Sequence, residues 1–485
     1  MQEQEHLYIG GEWVAPAGTG TGVIEVVSPH SEQVIARIAA AGNEDVDRAV
    51  AAARQAFDEG PWPRLDPAER AEVIRRLAGL VKPRRKELAE LISAEMGAPI
   101  SFAKLSHVAL PWMMMGAFAD IAVNLAWEEP RKGFYGQDII VRKEPIGVVA
   151  AIVPWNMPLF LTVGKLVPAL LAGCSVVLKP SPETPLDAYV LADLLTEAGL
   201  PPGVVSVLPG DRDLGEYLVS HPGVDKVSFT GSTAAGRLVA ASCGSNLKRV
   251  SLELGGKSAA VVLDDADPAA VAAGVEIAGL MNSGQACVAQ TRILVPRSRY
   301  SEYLDALVSM VESLPVGDPS DPATKVGPMV ARRQQERVRG YIEEGQKEGA
   351  RLVTGGSDLP AGVESGWYVR PTVFADVDSG MRVAREEIFG PVLTVLPYGD
   401  DAEAVRIADA TEYGLSGSVW TSDIERGLAV ARKVRSGTFG VNQAYSMDPN
   451  APFGGVKASG IGRELGREGI EGYLDVKSIS VAPAS

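Results

Sequence analysis

The chain has 485 residues, of which 46 % are hydrophobic and 22 % charged, so it is too long for one ordinary core and reads as about two to four folded units rather than a disordered chain. A formal net charge of −15 disfavours nucleic acid as a partner, because such binders need a basic face to displace counterions. Three cysteines, Cys174, Cys243 and Cys287, exclude a disulfide framework, and an N-terminus without a basic start or an apolar core of signal length sets the expectation of a reducing, cytoplasmic setting.

In chain order, "LYIGGEWV" at 7–14 predicts a hairpin, and the rest of the first 120 residues reads as mostly helical. Asp66 and Pro67 form a helix-opening pair before "PAERAEVIRRLAGLVK". Residues 130–145, "PRKGFYGQDIIVRKEP", alternate around a Gly turn and predict a second hairpin. From about 148, short β-branched runs ("VVAAIVP", "CSVVLKP", "VVSVLPG", "KVSFTG", "RVSLELGG") alternate with helical patterns, which predicts a doubly wound parallel sheet covered on both faces. "AAVVLDDA", "TRILVPR", "RLVTGG" and "PVLTVLPY" predict a second α/β unit. The longest near-continuous apolar run, 166–178, has 13 residues and contains Pro168, short of the ~20 needed to span a bilayer, so no membrane partner is expected.

"LELGGKS" at 252–258 ends like a phosphate-binding P-loop, but Ser251 stands where the first loop glycine belongs and a strand runs straight into the glycines. A base role for Glu253 is the alternative. "GSTAAG" at 231–236 follows a strand and opens a helix, so its backbone N–H groups and Ser232 can meet a pyrophosphate. "GIGRELG" at 460–466 lacks a preceding strand and reads as structural. Cys174 reads as core, and Cys243 as a packing or surface thiol. Cys287, within "NSGQACVAQTR", lies in a segment of small and amide residues without periodicity, where a reactive thiol can be exposed. His6, His30, His107 and His221 occupy unremarkable contexts, and no His or Cys spacing suggests a metal. "SFAK" at 101–104 lacks the companion motifs of penicillin-binding enzymes and reads as helix surface.

Taken together, "PWNMPL", "KPSPETP", "FTGSTAAGR", "LELGGKS", "GQACVAQTR", "EEIFGPV" and "PFGGVKASGIGRE" stand in the order and spacing of the NAD(P)-dependent aldehyde dehydrogenase superfamily, and the resemblance covers essentially the whole chain. The resemblance implies Cys287 as nucleophile, Asn156 and the Cys287 N–H as oxyanion donors, and Glu253, 34 positions before the thiol (287 − 253), as the base that activates water against a thioester. A thiol of pKa near ~8.5 needs its anion favoured by nearby dipoles or a base. Lys165 and Glu464 match a proton relay proposed in some members. The implied coenzyme contacts are Ile152, Pro154, Trp155, Lys179, Ser181, Gly231, Ser232, Leu254, Gly255, Glu387 and Phe389.

The resemblance also implies a cofactor domain (1–124 and 143–254), a catalytic domain (255–458) and a β oligomerisation unit (125–142 and 467–485) that makes homodimers or homotetramers. Pro182 stands where many NAD-preferring members have a ribose-binding glutamate, with Glu183 one place later. NAD is preferred over NADP because no arginine replaces the missing acid in the local sequence. Phe160, Phe453 and "NQAYSMDPN" at 442–450 are expected to line the substrate entry, with an apolar or aromatic aldehyde hinted. The alternatives are a relative that acylates coenzyme A, disfavoured by Glu253, and a non-catalytic NAD-binding protein, disfavoured by the presence of thiol, base and oxyanion donor.

Overall fold

The runs Val148–Ile152, Ser175–Lys179, Val205–Val207, Lys226–Thr230 and Arg249–Glu253 pair in parallel, as their near-continuous apolar character requires. Alternate residues serve opposite faces: Val149, Ala151, Val176 and Leu178 belong to one hydrophobic cluster, and Val148, Ala150, Ile152 and Val177 to another. From Val148–Ile152 the chain winds outward to Ser175–Lys179 and Val205–Val207, then returns to place Lys226–Thr230 and Arg249–Glu253 on the opposite side. A topological switch point therefore lies between Val148–Ile152 and Lys226–Thr230. The hairpin Leu7–Ile9 and Glu12–Val14 and the short strand Gly460–Ile461 extend this sheet to eight strands. The computed structural model describes residues 2–17, 22–444 and 447–482 of the chain.

A second sheet has seven strands in the order Arg351–Thr354, Thr372–Ala375, Val392–Tyr398, Arg292–Pro296, Ala259–Val262, Gly417–Trp420 and Gly440–Val441, parallel except for the first. It too is covered on both faces, with Ala259 and Val261 in one cluster and Ala260 and Val262 in another. The mixed α/β class expected from the sequence is what forms. Glu128–Lys132, Asp138–Pro145 and Leu474–Val481 make a separate antiparallel sheet, in register from Leu474 opposite Pro145 to Val481 opposite Asp138. Residues 483–485 of the expected C-terminal unit, and 1 and 18–21 of the expected cofactor domain, lie outside the described residues.

After the hairpin the first 120 residues are mostly helical, as Asn43–Asp58, Pro67–Met96 and Ile100–Val123, but Gln2–Gln4, Val34–Ala39 and Val23–Val27 also form a three-stranded sheet that the sequence reading lacks. The helix opened by Pro67 runs to Met96, through Pro83, with the Asp66 N–H held by the Glu69 carboxylate at 2.8 Å. Ile100–Val123, containing a π-helical stretch Ala103–Ala109, is long and apolar enough to cross a membrane by length and composition alone. In the fold it packs on the helices Pro67–Met96 and Pro158–Ala172.

Candidate active site

The strand Val148–Ile152 leads through Trp155 and Asn156 into the helix Pro158–Ala172, and Lys226–Thr230 leads through Gly231 into the helix Thr233–Ser245. Two cavities open at these carboxyl ends, of about 560 and 300 Å³, sharing Pro154, Trp155 and Thr230. Ile152, Lys179 and Ser181 border the larger, and Asn156, Gly231, Ser232, Leu254, Gly255, Cys287, Glu387 and Phe389 border the smaller. Every residue expected to touch the coenzyme thus borders one of the two. The larger cavity has apolar walls from Phe229, Leu238 and Val239 beside the Lys179 ammonium, a donor set that suits an adenosine. Ser232 caps the adjoining helix, its hydroxyl accepting from the Ala235 N–H at 3.3 Å, so the helix N-terminus faces the smaller cavity.

Lys179 donates to the Gly210 carbonyl at 2.6 Å, and burial pulls its pKa down to about 8. Glu183 turns into the same cavity, where it pairs with Arg333 and accepts from Ser181. The local sequence offers no arginine here, but Arg333, from the helix Arg332–Lys347 far along the chain, borders the cavity with Arg212. Trp155 and Phe389 meet edge to face with centroids 5.4 Å apart. Arg337 and Gln334 hold the Glu387 and Phe389 carbonyls at 2.6 and 3.0 Å.

The segment before the thiol has no regular period because Asn282, Ser283 and Gly284 all have left-handed backbones, with φ of +52°, +58° and +74°. Only glycine fits at 284, where a Cβ would lie 2.2 Å from the Gly390 carbonyl oxygen. Side chains clamp this turn. Asn282 Nδ2 donates to the Asn156 carbonyl at 2.8 Å, the Gly327 N–H donates to Ser283 Oγ at 2.9 Å, and the Val330 N–H donates to Gln285 Oε1 at 3.0 Å. Asn156 Nδ2 donates back to the Gln285 carbonyl at 3.1 Å, which ties the expected oxyanion donor to the thiol segment. Neither Asn282 nor Gln285 was singled out from the sequence. His107 was dismissed there, yet it is wholly buried against Phe102 and beside Asn282, and burial pulls its pKa to about 4.

Cys287 meets two carboxylates. Burial first, then the charges of Glu387 and Glu253, push its thiol up to about 12, opposite to the lowered value a nucleophile calls for. Glu253 is 4 % exposed and its Oε2 finds no hydrogen-bond partner among the described residues. Burial, and then Glu464, raise its pKa well above the usual carboxylate range, against the opposing pull of Lys165 and Arg463. Lys165 and Glu464 form a buried ion pair; Lys165 Nζ also lies 3.3 Å from Ser228 Oγ, to which Tyr473 OH donates at 3.1 Å. Glu464 belongs to the segment read as merely structural, whose strand Gly460–Ile461 pairs antiparallel with Leu252 and Glu253.

The glycines after Glu253 have a specific cause. A Cβ on Gly255 would lie 2.6 Å from the Glu387 carboxylate, and one on Gly256 would lie 2.5 Å from the Cys287 carbonyl oxygen. The Gly256 N–H donates to Glu387 Oε1 at 2.9 Å.

A third cavity, about 420 Å³, is bordered by Phe102, Met281, Met447, Asn282 and Met157, the residue after Asn156. Of the residues expected at the substrate entry, Met447 is there, but Phe160 and Phe453 are core side chains, each 4 % exposed, that do not border it. Tyr445 and Ser446 lie outside the described residues. Ser101 and Phe102 of "SFAK" form part of its wall, so that segment is more than helix surface.

Comparison with known proteins agrees with this layout. Residues 13–479 match the model of the "Aldehyde dehydrogenase family". The geranial dehydrogenase of Castellaniella defragrans is 48 % identical over 98 % of this chain and 98 % of its own length. An aldehyde dehydrogenase of Mycobacterium tuberculosis complexed with NAD+ has a TM-score of 0.97 at 48 % identity, covering 99 % of each chain. Aldehyde dehydrogenase C of Pseudomonas syringae, a mutant complexed with NAD+ and octanal, has a TM-score of 0.95 at 44 % identity over 99 % of this chain and 98 % of that one. With a match running from the opening hairpin to the last strand, the chain belongs to the aldehyde dehydrogenase family.

Proposed function

We propose that the chain oxidises an aldehyde and water to a free carboxylate with NAD as hydride acceptor, NADP being the alternative: RCHO + NAD+ + H2O gives RCOO−, NADH and two protons. The observation that supports the reading is that Cys287 borders the smaller cavity together with Asn156 and with Leu254 and Gly255, which directly follow Glu253, and that the Glu253 charge acts on the thiol. NAD, when bound there, supplies the acceptor for the hydride. Cys287 Sγ forms the bond to the aldehyde carbon, and its proton passes to a carboxylate; Glu253, whose raised pKa makes it the stronger base, faces it. The Asn156 amide, released from the Gln285 carbonyl, and the Cys287 N–H stabilise the oxygen as charge develops. Glu253 sheds the thiol's proton before the water step; once more a carboxylate after hydride loss, it takes a proton from water, whose oxygen attacks the acyl carbon and expels the thiolate. Lys165 and Glu464 lie behind Glu253 as the route by which it sheds that proton.

Glu253→Gln removes the base from both steps, and hydrolysis, which must take its proton from water, suffers more. It is expected to give a slowed burst of one equivalent of NADH and then almost no turnover, whereas Cys287→Ala gives no burst. Full steady-state hydrolysis by Glu253→Gln, or strict dependence of the wild type on coenzyme A, would overturn this reading.

The proposed division has a cofactor part at 1–124 and 143–254, a catalytic part at 255–458 and an oligomerisation part at 125–142 and 467–485; the separate sheets support it, although the strand Asp138–Pro145 crosses the boundary at 142/143 and Gly460–Ile461 pairs with the first sheet. The small sheet exposes Val476, Ile479 and Val481 on its edge strand, an unpaired edge that suits a homodimer or homotetramer, which light scattering after size exclusion measures. A cytoplasmic location suits a reaction that requires Cys287 as a free thiol.

A further inference from the structure

The third cavity carries information about the substrate, given the proposed reaction at Cys287. Its inner end is set by Met157, next to Asn156, and by Asn282, which is bonded to the Asn156 carbonyl. Asn282 Nδ2 also donates to the Gln285 carbonyl at 3.4 Å, two residues before Cys287, so this end of the cavity abuts the segment that carries the thiol. Ten of its sixteen described bordering residues are aliphatic or thioether, the rest being Phe102, Ser101, Ser106, Asn282, Glu276 and Lys325. Leu105 and Ile277 remain 65 % and 63 % exposed, which makes an apolar rim.

Charge and ring content exclude other substrates. The cations and anions on the border reduce to Lys325 and Glu276, which neutralise one another at 3.2 Å. No bordering cation is thus free to clamp a substrate carboxylate. Among the described residues the one aromatic ring on the border is Phe102, which by itself makes no cage for a quaternary ammonium. Methionines deform at little cost, which suits chains that are bent or methyl-branched as well as straight ones. At about 30 Å³ per water-sized group, 420 Å³ holds on the order of ten to fourteen heavy atoms.

We infer that the substrates of this enzyme are uncharged, apolar aldehydes of about eight to twelve carbons, straight or branched, with the hydrocarbon tail lodged between the Phe102–Leu110 wall and the Ile277–Met281 wall. The inference rests on the proposed aldehyde oxidation. It gives the tunnel a graded effect, because each methylene drawn from water into it contributes a factor of about three to four.

The test is kcat/KM for straight-chain aldehydes from C2 to C12 at saturating NAD, with a carboxylate-bearing semialdehyde and a trimethylammonium aldehyde alongside. Expected is a rise of about two orders of magnitude from C4 to C8–C10 followed by a plateau, with both charged aldehydes at least about a hundredfold below the neutral chain of equal length. Calorimetry on Cys287→Ala should show the same chain-length order in binding, without turnover. Leu105→Arg, at an exposed rim position that tolerates the change, should lower kcat/KM for decanal by about tenfold and for propanal by less. A profile that is flat or falls with chain length, or a preference for either charged aldehyde, overturns the substrate class while leaving aldehyde oxidation standing. No turnover of any aldehyde with either coenzyme overturns both.

Discussion

The buried pair behind the base gives the sharpest stability test. Lys165 is fully buried and Glu464 nearly so, and the charges of both act on Glu253. Lys165→Met keeps the volume but leaves the Glu464 carboxylate unopposed, which costs about 3–5 kcal/mol. Lys165→Met with Glu464→Leu removes both charges and should return to within about 1 kcal/mol of wild type. The single variant's deficit should also depend on pH. A buried carboxyl without its cation has a folded pKa above its unfolded value, so the folded state binds the extra proton and stability falls as pH rises through that interval. The deficit should therefore be larger at pH 8 than at pH 5. Glu253 reports the same change kinetically. Lys165 lowers its pKa and Glu464 raises it, so the single variant's hydrolytic limb should move to higher pH and the double variant's should move back. Denaturant unfolding and single-turnover hydrolysis across pH 5–9 measure both effects. A single variant as stable as wild type, or a double variant as unstable as the single, contradicts the pairing argument.

Gly256→Ala places a methyl 2.5 Å from the Cys287 carbonyl oxygen, backbone that cannot give way cheaply, so kcat/KM should fall at least tenfold with a stability loss of about 1–3 kcal/mol in thermal melts. Asp187 and Glu95 are buried carboxyls, each with one oxygen lacking a partner among the described residues, and Asp187 is pushed up to about 7 mainly by burial. The folded state therefore keeps protons that the unfolded chain releases above pH ~4, and stability should fall toward pH 7 by up to about 1.4 kcal/mol per unit for each group. Asp187→Asn should flatten that slope, and an unchanged slope would count against it. Arg333→Ala removes a cation from the larger coenzyme cavity and frees Glu183, so fluorescence titration should show NADP weakened about tenfold and NAD much less. Equal losses for both would show that Arg333 does not read the ribose phosphate.

Much of the fold was legible because buried parallel strands are continuous apolar runs, and the runs at 148–152, 175–179 and 226–230 have every residue buried. Val23–Val27 was missed because it is half exposed and interrupted by Glu25, and Gly417–Trp420 because it opens with Gly and Ser, which read as turn residues. At the site, motif register marked Cys287, Glu253 and Asn156. It did not mark Arg333, Gln334 or Arg337, which sit on a helix whose charges look like a solvated face and reach the coenzyme cavities only because the second sheet brings that helix there. The direction of the Cys287 pKa was also hidden, since Glu387, 100 positions away, contributes to it (387 − 287).

The two sheets contribute to the cleft in opposite senses. The first supplies residues that follow its strands: Asn156 after Val148–Ile152, Gly231 and Ser232 after Lys226–Thr230, and Leu254 and Gly255 directly after Arg249–Glu253. The second supplies residues that precede its strands: Cys287 before Arg292–Pro296, and Glu387 and Phe389 before Val392–Tyr398. A carboxyl edge thus faces an amino edge, and the chain passes from one to the other through residues 254–258. A base closing the first sheet must be followed at once by backbone that slips past Glu387 and the Cys287 carbonyl, and side chains at 255 and 256 would collide with both. Gly-Gly-Lys-Ser is the sequence of that crossing. Its likeness to a phosphate loop arises because a backbone pressed against a carboxylate and a carbonyl needs glycine as much as one wrapped around phosphate does.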